Sequence, residues 1–291
     1  MRYEGTIIRP PSEARSLLLQ ATVGCSHSRC TFCSAYKQKR FRIRSQGEIE
    51  EDLREAGTRL RSAKRVFLCD GDALIIPQKR LLGILKSIGE NIGGVERVGT
   101  YANAKSILRK NREELAALRE EGLKIVYLGV ETGSEEVLRR VRKGVTYDQM
   151  VEAGRRVKEA GITLSVTALL GIGGVELSAK HARETARILT DIDPEYAGIL
   201  TVMLIAGTPL YEAWRSGTFV LPDVFALLGE LRTIVEASNF TDCFFTSNHA
   251  SNYLPVRARL PADRESLLQV LDAVIAKRRP DYLRPEFMRG L

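Results

Sequence analysis

Two rhythms alternate along the chain. Short, nearly continuous apolar runs recur, and each is followed by a stretch whose apolar residues return every three or four positions. The first run is Ser16–Thr22. Such runs mark strands buried on both faces, and the longer 3.6-period stretches mark helices packed on them. Further strands are expected at Lys64–Cys69, Val95–Tyr101, Lys124–Glu131, Ile162–Leu170 and Ala197–Ile205. Helices are expected at Gly47–Ser62, Pro77–Asn91, Arg112–Glu121, Tyr147–Ala160 and Ser178–Asp191. The first of these opens on acidic residues, which suit a helix N-terminus, and Gly122 and Gly161 close two others. Strand then helix, six times with short connections, is the mark of a parallel α/β architecture. With no clear seventh or eighth repeat, the expected fold is α/β, a partial (βα)6 TIM-type barrel with a C-terminal extension.

The repeat also divides the chain. Residues 1–14, with Pro10-Pro11, read as an N-terminal arm, residues 15–218 as the barrel core, and residues 219–291 as an extension covering the barrel mouth. The extension holds helices at Asp223–Ser238 and Pro261–Lys277, and Cys243–Thr246 is placed to add a strand to the open edge. In parallel α/β folds ligands bind at the carboxyl ends of the strands. The cysteine-bearing loop after the first strand, Asp70–Ala73, Glu131, Gly171–Gly174 and Ile205–Pro209 all fall there.

Composition narrows the setting. In 291 residues, 44% hydrophobic and 27% charged, no apolar run approaches the roughly 20 residues that span a bilayer, so no membrane partner is expected. The N-terminal MRYEGTIIRPPSEAR lacks the apolar core of a signal peptide, and a cytoplasmic location is expected. The net charge is +8, from 44 Lys+Arg against 36 Asp+Glu. That balance suits an anionic small molecule or a nucleic acid without demanding either. The densest basic run, Lys37 to Arg44, reads either as a solvated loop or as positive charge around an anionic ligand. His27 and His181 read as surface residues, and Trp214 as packing on the short helix after Pro209.

Chemistry concentrates in Cys25, Cys30 and Cys33, spaced C-x4-C-x2-C. Five cysteines with three in nine residues argue for a metal site and against a disulfide framework. Three thiolates hold three irons of a 4Fe–4S cluster and leave the fourth open. Zinc competes, but a structural zinc wants four ligands, and His27, two residues from Cys25, is poorly placed to complete the set. Cys69 ends an apolar strand and Cys243 abuts two phenylalanines; both read as buried thiols rather than as a fourth ligand.

With Phe32 just before the last cysteine, this loop resembles that of the radical S-adenosylmethionine (SAM) superfamily, whose common spacing is C-x3-C-x2-C; the extra residue here is a departure. The resemblance covers about residues 15 to 210, and the runs LGVETGSEEVL and Thr208–Leu210 look most like the branch containing coproporphyrinogen dehydrogenase and the Elongator-type enzymes. It implies a 4Fe–4S cluster on Cys25, Cys30 and Cys33 that reductively cleaves SAM to a 5′-deoxyadenosyl radical, which abstracts hydrogen from a small organic substrate. It further implies that SAM meets Phe32, Gly71, Asp72, Glu131, Gly171, Gly173, Ile205, Ala206 and Arg42, and that a flavodoxin or ferredoxin supplies the electron. Tyr36, Asn248, His249 and Asn252 are the candidate substrate contacts. A tRNA-modifying radical SAM enzyme and a non-catalytic iron–sulfur or zinc protein are the alternatives; nucleic acid is not the favoured partner, because no aromatic–basic platform is evident.

Overall fold

The computed structural model describes residues 1–60 and 62–290. Arg61, in the expected helix Gly47–Ser62, and Leu291, at the end of the expected extension, lie outside the described residues. The chain packs into two compact units. One comprises Met1–Ser28, Ala35–Leu128 and Glu152–Leu164; the other comprises Arg29–Ser34, Gly129–Val151 and Ser165–Leu291.

In chain order the first unit is built from β1 (Leu17–Gln20), β2 (Thr22–Val23), β3 (Arg42–Ile43), α1 (Gln46–Arg59), β4 (Arg65–Cys69), α2 (Gln78–Asn91), β5 (Arg97–Ala102), α3 (Ala104–Leu108), α4 (Arg112–Glu120) and most of β6 (Leu123–Glu131). Parallel ladders join β1 to β4, β4 to β5 and β5 to β6. Val66, Phe67, Leu68 and Cys69 are all fully buried, as an apolar strand with cover on both faces must be. Helix α1 starts where Ser45 Oγ accepts from Glu48 N (3.2 Å) and Glu48 returns by accepting from Ser45 N (2.6 Å). This capping box satisfies two donors at about 1 kcal/mol, and the helix buries Ile49, Leu53 and Ala56 on one stripe.

Two features of this unit were not evident from periodicity. Antiparallel β2 and β3 pair Thr22 with Ile43 and Val23 with Arg42, closing the cysteine-bearing segment at its base. The N-terminal arm sends Glu13 into the interior of this unit. Fully buried, Glu13 accepts from Arg97 Nη2 and Tyr127 Oη, each at 2.5 Å. Above it Phe67, Tyr101 and Tyr127 meet edge to face, with centroids 5.2–6.0 Å apart.

The second unit continues with α5 (Glu135–Arg140), the start of α6 (Tyr147–Glu159), most of β7 (Thr163–Leu170), α7 (Gly174–Ile192), β8 (Tyr196–Thr201), α8 (Pro209–Arg215), α9 (Val224–Ala237), β9 (Cys243–Thr246), β10 (Arg257–Leu260) and α10 (Arg264–Lys277). Strands β7, β8 and β9 are parallel, and β10 runs antiparallel to β9. The strand expected at Cys243–Thr246 is therefore present, and it draws the C-terminal segment into the sheet of this unit. The sixth expected strand ends early, at Thr201 rather than Ile205. Val202 N still donates to Leu170 O (3.0 Å), but Thr208 then turns the chain by donating to Ile205 O (2.7 Å) and capping α8. His181 is a correction: it is fully buried, not on the surface. Trp214 lies within α8, half exposed, against Tyr211.

Candidate functional site

In the first unit the site begins at the carboxyl end of β4. Ala21 N donates to Cys69 O (2.7 Å), Asp70 N to Thr22 O (3.1 Å) and Gly71 N to Gly24 O (3.1 Å), so the residues leading into Cys25 run along the end of β4. A β-carbon at Gly71 would fall 2.6 Å from the Tyr36 ring and 3.0 Å from Cys25 Cβ. Only glycine allows that approach. Tyr36, expected at the substrate, is buried in this contact.

Asp70 is fully buried, and its Oδ2 accepts from Gly24 N (2.9 Å), Gln20 Nε2 (3.0 Å) and Lys39 Nζ (2.9 Å). Asp72 is also fully buried. Its Oδ2 accepts from Ser26 Oγ, and from Asn103 Nδ2 and Ser106 Oγ at 2.6 Å each. Burial pushes the Asp72 carboxyl up to about 6, against the pull of those donors. Asp72 thus joins the residue after Cys25 to the ends of β4 and β5. Arg42 is engaged by Glu48 (2.8 and 3.1 Å) and by Glu4; these carboxylates raise its pKa. It ties the arm, β3 and α1 together through these two carboxylates.

In the second unit the short segment carrying Cys30 and Cys33 is held through Thr31, whose N donates to Val141 O (3.0 Å) and whose O accepts from Leu210 N (3.1 Å). Phe32 packs on the apolar cluster of Val137, Val141, Leu169, Ile172 and Leu210. Glu131 closes β6 with φ +66° and accepts from Lys143 Nζ at 2.8 Å. Gly171, at φ +78°, donates its N–H to Glu230 Oε2 (2.7 Å), and a β-carbon there would stand 2.8 Å from Leu227. Glu230 also accepts from Ser178 Oγ (2.6 Å), and burial pushes its carboxyl up to about 7. His181 Nε2 stands 3.8 Å from Glu230 Oε2, and burial pulls the imidazole down to about 4. Gly173 is buried beside His181 at the start of α7.

Ile205 and Ala206 lie in the loop between β8 and α8, and Ala206 is exposed. Of the candidate substrate residues in the tail, Asn248 is exposed and His249 half-buried, with Ser251 N donating to its Nδ1 (3.1 Å). Burial and Arg284 lower the His249 pKa. Asn252 is buried and committed to holding strand β8: its amide donates to Ile199 O (2.7 Å) and Ser247 O (2.8 Å) and accepts from Thr201 Oγ1 (2.8 Å). Sequence reasoning marked the turn Asp70–Ala73 and the basic run from Lys37 to Arg44 without giving Asp70 or Lys39 a role of its own, and it missed Asn103, Ser106, Lys143 and Glu230. The spacing Asn103-x-x-Ser106 at the end of β5 is the signal that exposes one pair of them, since Asn103 also caps α3.

The donor chemistry suits an iron–sulfur cluster. Cys25, Cys30 and Cys33 are half-buried, as thiols that must meet a metal need to be, whereas Cys69 and Cys243 are fully buried. Burial raises both of the latter thiols, that of Cys243 to about 12, which disfavours the thiolate that binds metal. Among the described residues no three His, Cys, Asp or Glu side chains stand as a formed metal-ligand group, so the ligand set rests on the cysteine spacing and donor type. No described helix is long and apolar enough to cross a membrane.

Comparison with known proteins supports this reading. The chain is 26% identical over 225 residues to an uncharacterized methyltransferase of Pyrococcus horikoshii, covering 75% of this chain and 46% of that one. It is 28% identical over 113 residues to the tRNA uridine(34) acetyltransferase of Methanocaldococcus infernus, covering 38% and 21%. This chain therefore spans less than half the length of either relative. Coproporphyrinogen III oxidase of Escherichia coli, a radical SAM enzyme, shares the fold with TM-score 0.57 at 15% identity, over 77% of this chain and 53% of that one. The profile of the radical SAM superfamily matches residues 19–189. That match takes in more than half of the sequence, and the chain belongs to the radical SAM superfamily, enzymes that bind a 4Fe–4S cluster and SAM.

Proposed function

We propose that this enzyme generates a 5′-deoxyadenosyl radical and uses it to take a hydrogen atom from a small organic substrate, with an external flavodoxin- or ferredoxin-type donor supplying the electron. The observation that carries the reading is the docking of the cysteine-bearing loop at the end of β4, through Gly71 N to Gly24 O and through Asp72 to Ser26. When bound, the cluster and SAM together supply reductive cleavage of the sulfonium carbon–sulfur bond. Cys25, Cys30 and Cys33 would hold three irons. Asp72, Glu131, Gly171 and Gly173 would orient SAM, Asp72 with a carboxylate already tied to Ser26 and Glu131 with its charge tempered by Lys143. The apolar cluster against Phe32 would keep water from the reacting carbon.

Anaerobic reconstitution with iron and sulfide tests it. Wild type should bind iron and, with dithionite and SAM, release 5′-deoxyadenosine. Cys25→Ala, Cys30→Ala and Cys33→Ala should each lose the iron and the product, while Cys243→Ala keeps both. Bound zinc without iron in wild type would sink the proposal in favour of a non-catalytic metal protein.

RNA is the rival substrate class, favoured by the +8 charge and by the likeness to the tRNA uridine(34) acetyltransferase. Binding to tRNA that falls steeply with salt would support it. No binding at low salt would remove it.

A further inference from the structure

The cysteine-bearing segment leaves the first unit after Ser28 and rejoins it at Ala35. Each of its flanks is tied to one oxygen atom. Asp70 Oδ2 accepts from Gly24 N, immediately before Cys25, and from Lys39 Nζ, six residues after Cys33. Lys39 is itself nearly buried; its ammonium also donates to Thr6 O (2.7 Å) and lies 5.8 Å from the centroid of the Tyr36 ring. The ion pair is poorly built for stability. Asp70 Oδ1 is buried without a hydrogen-bond partner among the described residues, so the carboxylate forfeits part of its hydration without full repayment. A buried ion pair is weak evidence for stability, and its best-attested use is to fix geometry.

We infer that Asp70 and Lys39 form a clasp that sets the two flanks of the cysteine loop and so positions the thiols for the cluster. Both are positioning residues; neither is assigned a contact with iron or SAM. The inference rests on the cluster reading above. It also bears on the unusual spacing of the motif: with its flanks fixed by a shared carboxylate, the loop can carry an additional residue between Cys25 and Cys30 without losing its base.

The test compares wild type, Lys39→Met, Asp70→Asn and the double variant after anaerobic reconstitution. The readouts are iron and sulfide per chain, the rate at which a chelator strips the cluster, and the melting temperature. Each single variant leaves one buried charge unpaired and should both melt earlier and lose its cluster about tenfold to 100-fold faster, the usual cost of removing a group that orients a metal ligand. The double variant has no unpaired charge, so its melting temperature should recover while stripping stays fast. Stripping that recovers in step with melting would mean the pair merely stabilises the fold, and would overturn the clasp. So would a Lys39→Met cluster stripped at the wild-type rate. A wild type that takes up no iron overturns the cluster reading itself, and the clasp with it.

Discussion

Two strand ends use the same device to different effect. In the first unit Asp70 holds the Gly24 amide, and in the second Glu230 holds the Gly171 amide. Both carboxylates are buried and both restrain a glycine beside the expected cofactor. Asp70 is countered by the Lys39 ammonium at 2.9 Å. Glu230 instead faces the imidazole of His181 at 3.8 Å, which burial keeps neutral near physiological pH, and it receives only neutral donors from Ser178 and Gly171. The first anchor is an ion pair. The second is a carboxyl that burial brings to about 7, where it changes charge near neutrality. What faces a buried carboxylate thus sets how it is tethered, by a cation at Asp70 and by neutral donors at Glu230.

The largest effect should come from unbalancing the first anchor. Asp70→Asn leaves the Lys39 ammonium unpaired and should cost about 3 kcal/mol in denaturant unfolding, more than Glu230→Gln, which strands no cation. An equal loss in the two variants would erase the distinction. Next is the pH response. Between the ordinary 4.5 and about 7, folded Glu230 keeps a proton that the unfolded chain has released, so its contribution to stability is lost as pH rises through that window. His181 works oppositely: its folded pKa is depressed from 6.5 to about 4, so its contribution is lost as pH falls through that range. Glu230→Gln removes only the first. Its stability relative to wild type should therefore climb by on the order of 2 kcal/mol from pH 4.5 to 7; a flat difference would show that Glu230 does not titrate there. The smallest effect should be Ser178→Ala, which deletes one donor to Glu230 at a cost of about 1 kcal/mol, with the loss growing above pH 7, where the carboxylate needs the bond most.

Much of this was legible in the sequence. Apolar runs are dictated by burial on both faces, so six strands and the added strand at Cys243–Thr246 could be read from pattern alone. The cysteines were legible because metal chemistry constrains residue type and spacing at short range. The clasp was not, since Asp70 and Lys39 are 31 residues apart and each alone looks like an ordinary charge. His181 was misread because its helix is rich in charge, although its own position lies on the buried stripe with Ala182, Thr185 and Ala186. Asn252 looked like a ligand-facing amide, but its side chain bonds Ile199 O and Thr201 Oγ1 of β8, some fifty residues earlier in the chain, as well as the nearby Ser247 O. Long-range pairing hid Asp70 with Lys39, whereas His181 was a local pattern obscured by its charged neighbours.

The buried Glu13 has a consequence for the order in which the first unit folds. Its partners Arg97 and Tyr127 lie 84 and 114 residues further along the chain. Closing loops of that length before other contacts exist is entropically costly. Ser16 Oγ can serve this acid from the start, but its two distant partners reach it only once β5 and β6 are in place, so the far end of the arm is locked later than its near contacts with Leu18 and Gln20.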